Sequence, residues 1–166
     1  LRTEQTQDGV FRRAPKCALI LHNGHGNDNE TTGHGTVVIW STCNYPTSTV
    51  EKKIIFLLSC LCGKGLAPDM ARKGASAVLA WDEVYIFNAR GDPDPLKDPL
   101  VQLFFMPILQ GFQKVLQGYP AGEWKNTIVS EYAKAISNPN VPPHVQSNLA
   151  WDANHLVLCG DPNARI

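Results

Sequence analysis

The chain has 166 residues, of which 43% are hydrophobic and 18% charged, with Lys+Arg and Asp+Glu equal at 15. That length is about one domain and supports a real core, while the low charge excludes a disordered tail, a collagen-like repeat or a charge-laced coiled coil. A net charge of zero speaks against nucleic acid or an anionic membrane as the main partner, since either selects a basic excess.

The first sixteen residues read as an exposed lead-in, and residues 17–166 as a single α/β domain. No apolar run reaches the ~18–20 residues of a membrane span, and Leu1–Arg13 is too polar for a signal-peptide core. Leu stands first rather than Met, which reads as a trimmed chain or a piece of a longer one. Five cysteines, Cys17, Cys43, Cys60, Cys62 and Cys159, form no dense disulfide framework, so a reducing, cytoplasmic setting is expected, with secretion as the alternative. Cys17 and Cys159 are expected as small core residues.

Cys17–Leu21 is a short apolar run that stops at His22-Asn-Gly-His-Gly26, the pattern of a buried strand emptying into a loop. Thr36–Trp40 is a second strand rich in β-branched residues. Ile54–Leu58, apolar on both faces, reads as a central parallel strand. It ends at Ser59-Cys60-Leu61-Cys62-Gly63. A helix over about 65–73 and a strand over Ala75–Trp81 complete a βαβ unit, which predicts a mainly parallel sheet flanked by helices. Asp98-Pro99 opens a helix to about Gln117, with Leu100, Phe104, Ile108, Phe112 and Leu116 along one face and a kink at Pro107. A second helix runs over about 123–137 with Trp124, Ile128, Tyr132 and Ala135 on one side; a Pro-rich loop then leads to a last strand, His155–Cys159.

Open parallel sheets carry their chemistry at the carboxyl ends of the strands. Here those ends hold His22 and His25 after the first strand and Cys60 and Cys62 after the central one. A histidine and a cysteine that converge can serve as proton-transfer partner and nucleophile. Gly26 permits close approach of a substrate. Its amide, with that of Cys60 at the head of a helix, can form an oxyanion hole, and a helix N-terminus also favours a thiolate. The bland alternative is that these cysteines are core residues.

The apolar strand ending in His25-Gly26, followed by Leu58-Ser-Cys-Leu-Cys-Gly63, Leu66-Ala67 and Lys73-Gly-Ala-Ser-Ala-Val-Leu-Ala-Trp81, resembles the caspase-like cysteine peptidases. CHAT and gingipain-like domains are the nearest in pattern. The tail Leu156-Val-Leu-Cys-Gly-Asp-Pro162 resembles the last strand of that group. The resemblance implies a three-layer sandwich and a cysteine endopeptidase acting on a peptide or protein substrate, with no cofactor and no metal. It implies Cys60 as nucleophile, His25 as proton carrier and the amides of Gly26 and Cys60 as oxyanion hole. Cys62 has at most a supporting role, His22 packs, and His34, His144 and His155 have none.

The family pattern also has two strands ahead of the histidine strand. Only about sixteen residues precede it here, so the first two strands are expected to be missing, and the open sheet edge to be covered by a second copy or a partner segment. In this family the region after Ala75–Trp81 walls the primary pocket. Asp82 and Glu83 there, with Trp81, suit a basic side chain, the alternative being solvated loop charges and a core tryptophan. Asp92, Asp94 and Asp98 read as turn and cap residues. Rival readings are a zinc site drawn from His22, His25, His34, Cys43, Cys60 and Cys62; an amidotransferase-like hydrolase using Cys62; and an inactive binding or regulatory module of the same fold.

Overall fold

A computed structural model describes residues 6–166. Its main sheet has four strands in the order β1-β4-β5-β6: β1 (Leu19–Asn23), β4 (Ile54–Leu58), β5 (Ala77–Trp81) and β6 (Leu156–Gly160). β1, β4 and β5 are mutually parallel, and β6 runs antiparallel to β5. The fold is therefore α/β with a mixed, mostly parallel sheet flanked by helices.

The central strands alternate between two cores. Ile54 and Phe56 of β4, with Ala77, Leu79 and Trp81 of β5, face a core built by α3 (Pro99–Leu116), α4 (Ala121–Ile136) and α5 (Pro143–His155). Ile55, Leu57, Val78 and Ala80 face the opposite core, where Leu66, Ala67 and Met70 of α2 (Leu66–Arg72) meet Ile39 and Trp40. Strands apolar on both faces are what a covered parallel sheet demands. Phe56 stacks on Trp124 at 4.7 Å, tying β4 to α4.

Several expectations need correction. The lead-in is not wholly exposed: Gln7–Arg13 form α1, capped by the Thr6 hydroxyl, which accepts from the Gly9 amide. Val10 and Phe11 of α1 pack against the second core, and Ala14 is buried; residues 1–5 lie outside the described part. The second strand is Val38–Ser41 (β3), which pairs antiparallel with β2 (Glu30–Thr32) as a separate two-stranded sheet. The expected Pro-rich loop is largely α5, whose Pro143 occupies a first-turn position where no amide partner is lost. His155 closes that helix rather than opening β6. Cys17 precedes β1 and is exposed, and Cys159 is half-buried.

On α3 the buried line is Phe104, Ile108, Gly111 and Val115, whereas Leu116 is 54% exposed. Steps of four advance ~40° past a full turn, so a strict i+4 stripe drifts off the core and Val115 replaces Leu116. Asp98 caps α3, accepting from the amides of Leu100 (2.9 Å) and Val101 (3.3 Å) and also from Arg90. Among the described residues no helix is long and apolar enough to cross a membrane.

Candidate active site

β1 and β4 are paired so that Asn23 lies opposite Leu58. Each chain leaves the sheet there, and two residues on stand His25 and Cys60. The parallel register alone thus delivers both side chains to the same carboxyl edge, and both line one cleft of about 620 Å³.

The two exit loops are locked to each other. The Gly24 amide donates to the Leu58 carbonyl (3.2 Å) and the Leu66 amide to the Asp28 carbonyl (2.8 Å). The Cys62 thiol points to the Glu30 carbonyl at 3.6 Å. Gly26 sits against the cysteine strand end so closely that a Cβ there would stand 2.6 Å from Cys62 Sγ and 2.7 Å from the Cys60 carbonyl. Only glycine fits that approach.

Thr31, fully buried in β2, joins the parts. Its hydroxyl donates to the His25 carbonyl at 3.1 Å. With its one proton spent there, it accepts from Ser59 Oγ at 2.9 Å and from His22 Nε2 at 2.7 Å. His22 is therefore a packed donor, edge-on to Trp40 at 5.3 Å. Burial lowers its pKa to about 4, against the Thr32 backbone hydrogen bond, which raises it. The His25 carbonyl also accepts from the Thr32 amide at 2.8 Å. Its backbone is thus held firmly while its exposed ring makes no hydrogen bond among the described residues.

The two cysteines have different environments. Cys60 is partly exposed at the cleft, whereas Cys62 is fully buried. Burial, with smaller contributions from Cys60 and Asp28, pushes the Cys62 thiol up to about 12, so it is a thiol at neutral pH and a poor nucleophile. Leu61 between them has φ +65°, a left-handed conformation costing roughly 1–2 kcal/mol in a non-glycine residue. That turn presents Cys60 outward and sends Cys62 inward. The amides of Gly26 and Cys60 have no hydrogen-bond partner among the described residues; Cys60 lines the cleft and Gly26 stands just behind it, against the Cys60 carbonyl and the Cys62 thiol. α2 begins at Leu66, close to the expected bound, so Cys60 does not stand at the head of a helix and no helix N-terminus adjoins the thiol.

The proposed specificity residues stand elsewhere. Trp81 is fully buried in the core, its Nε1 donating to the Asp152 carbonyl at 3.0 Å. Asp82 is paired with His155 Nδ1 at 2.8 Å, and Glu83 with Lys64 at 2.6 Å. The Lys64 hydrogen bond lowers the Glu83 pKa, and that of Lys64 rises in turn. None of the three lines the cleft, whose walls are Leu58, Tyr85, Phe87, Phe105 and the Gly33–Thr36 turn with His34. Tyr85, Phe87 and the Gly33–Thr36 turn carry no chemical motif in the sequence, and Leu58 and Phe105 read there only as strand and helix residues. The signal for the turn was the paired glycines around His34; Gly35 and Thr36 take φ +64° and +62°.

The wall at Tyr85–Phe87 is anchored by α5. Asp152 Oδ1 accepts from the Ile86 amide at 3.0 Å, while Oδ2 is buried without a partner among the described residues. Burial pushes the Asp152 carboxyl up to about 7, opposed by the Ile86 hydrogen bond. Asn148 Nδ2 donates to Asn88 Oδ1 and Trp151 Nε1 to the Val84 carbonyl. Among the described residues, no group of three or more His, Cys, Asp or Glu could hold a metal ion. Compared with known proteins, the chain matches no family model, no curated protein and no solved structure.

Proposed function

We propose that the chain is the catalytic core of a caspase-like cysteine endopeptidase using Cys60 and His25. The observation that carries this is the shared cleft: a partly exposed cysteine and an unengaged histidine two residues past paired positions of adjacent parallel strands. Cys60 Sγ attacks the scissile carbonyl carbon. Its proton passes to His25, and the carbonyl electrons move onto an oxygen held by the amides of Gly26 and Cys60. Collapse breaks the C–N bond, and His25 gives its proton to the leaving amine. Water then attacks the thioester as His25 takes its proton; the C–S bond breaks and His25 returns that proton to the sulfur, releasing the acid and the Cys60 thiol.

The test is intact mass and peptide mapping after exposure to peptidyl acyloxymethyl ketones with Lys, Arg, Asp, Asn or Leu at the first position. Labelling at Cys60 alone, lost in Cys60→Ala and in His25→Ala, is the expected result. Labelling at Cys62 that survives His25→Ala, or no labelling by any probe, overturns it.

A second reading, a catalytically inactive binding or regulatory module, is favoured by a different observation. β1 is an edge strand whose outer side pairs with no other strand among the described residues, and Leu21 on it is 49% exposed. Unpaired edges invite a partner strand. A protein that leaves Cys60 unlabelled yet binds a partner along β1 would support this reading instead.

A further inference from the structure

Next to the cysteine cleft lies a second cavity of about 570 Å³. The two share Asn23, Leu58, Phe87 and Phe105 as common walls, so they are neighbouring chambers. Its floor is Phe56 and Ile108, and its rim carries Leu21, Phe87, Leu96 and Leu109. The rim residues are 49%, 52%, 79% and 47% exposed. Four large apolar side chains held at one opening form a patch that a folded domain ordinarily hides.

Charge at this cavity is already committed. Asp98 is 1% exposed and its carboxylate serves three backbone amides, those of Arg90, Leu100 and Val101. Those bonds hold its pKa below the usual carboxylate value against the upward pull of burial. His22 is the half-buried donor to Thr31. Asp92 is the remaining carboxylate, an exposed rim residue whose Oδ1 accepts from the Asp94 amide at 2.8 Å. A basic side chain entering here would lose its hydration for no buried counter-charge. The cleft walls Tyr85, Phe87 and Phe105 are aromatic as well, in mutual contact at 5.4–6.3 Å.

We infer that this chamber is the specificity pocket of the Cys60 cleft and takes a bulky apolar side chain, of the leucine or phenylalanine class, from the substrate residue that supplies the scissile carbonyl. The occupant is a peptide substrate, because the chamber shares its walls with the cleft that holds the cysteine. The inference rests on the peptidase reading. It replaces Asp82 and Glu83, which are engaged with His155 and Lys64, as the source of selectivity.

The experiment compares second-order labelling rates of Cys60 by acyloxymethyl ketones bearing Leu, Phe, Lys or Asp at the first position. It uses the wild type, Leu96→Asp, which alters an exposed rim residue, and Leu109→Asp. Expected are Leu and Phe rates at least about tenfold above Lys and Asp, the scale of discrimination an apolar pocket provides. Both variants are expected to slow the apolar probes about tenfold while leaving alkylation of Cys60 by iodoacetamide unchanged. Equal rates for all probes, a preference for Lys, or variants that match the wild type would overturn the pocket and leave the peptidase reading standing. A Cys60 that reacts with no peptidyl probe while iodoacetamide still alkylates it independently of His25 overturns the peptidase reading, and the pocket with it.

Discussion

Two histidines in this molecule stand at strand ends, and their surroundings are opposite. His155 has a carboxylate partner, Asp82, at 2.8 Å and the Trp151 ring at 4.2 Å. By side chain it has the more orderly environment, yet no cysteine accompanies it. His25 has no side-chain partner, but its carbonyl is bound by Thr31 and Thr32, its neighbour Gly26 touches the Cys60 turn, and a partly exposed cysteine shares its cleft. A carboxylate–histidine pair by itself is a partly exposed surface contact. A histidine fixed through its backbone beside a partly exposed cysteine is a candidate for chemistry. The difference lies in what the backbone brings together, not in how many hydrogen bonds the ring makes.

The sharpest way to break this contrast is Thr31→Val, which keeps the shape and removes the hydroxyl. Ser59 and His22 lose their acceptor and the His25 carbonyl one of its donors, at ~1–3 kcal/mol for each buried group left unpaired. Urea unfolding should show about 3 kcal/mol lost, and a midpoint equal to wild type would mean that Thr31 does not join the loops. Gly26→Ala comes next. Its methyl meets the Cys60 carbonyl backbone, which cannot swing aside, so about 2 kcal/mol of stability and most Cys60 labelling should be lost together. Retained labelling would show that the close approach is unimportant.

The third concerns pH and sets His22 against Asp152. Native His22 titrates at about 4 rather than 6.5, so its contribution is present above pH 6.5 and is lost as pH falls toward 4. Native Asp152 titrates at about 7 rather than 3.8, so its contribution is present below pH 3.8 and is lost as pH rises toward 7. At ~1.4 kcal/mol per pKa unit the two slopes are of similar size and opposite sign between pH 4 and 6.5. Asp152→Asn keeps an acceptor for Ile86 and removes one slope. Its stability should therefore fall by roughly 3 kcal/mol from pH 6.5 to 4, measured by urea midpoints, while the wild type stays nearly level over that window. A variant as level as wild type would refute the opposition. The smallest effect belongs to Asp82→Asn: the pair with His155 is about a third exposed, so less than about 1 kcal/mol is expected, with Cys60 labelling unchanged. A strong drop in labelling would put His155 back into the chemistry.

The strands of the main sheet were legible because Ile54–Leu58 and Ala77–Trp81 are apolar without interruption, and the α3 start was legible in Asp98-Pro99. His25 and Cys60, the two candidate residues of the cleft, each stand two residues beyond the end of such a strand, which is why the sequence puts both at the carboxyl edge. Other features left weaker traces. α5 buries only Val145, Leu149 and Asp152 in thirteen residues, too thin a stripe to outweigh a Pro-Pro pair that reads as loop. The direction of β6 cannot be read from Leu156–Gly160, because a two-sided apolar strand looks the same whichever way it runs. Of the two readings of Asp82 and Glu83, pocket or loop charges, neither foresees their pairing, because the partners, His155 and Lys64, lie 73 and 19 residues away, and sequence proximity is silent about such pairings.

The antiparallel closure of the sheet by β6 bears on how the chain folds. β1, β4 and β5 all lie before residue 82, so the parallel triplet can assemble from the first half of the sequence. β5 finds its other neighbour only after α3, α4 and α5 have been traversed, with Ala77 pairing Gly160 and Trp81 pairing Leu156. Closing so long a loop adds little to the free energy but slows the search, because such contacts raise the contact order. During that interval Ala77-Val-Leu-Ala-Trp81 is an uncovered, uncharged strand edge, the kind of template on which partly folded chains join one another. Refolding yield should therefore fall with protein concentration, and the step that rescues it is the docking of β6.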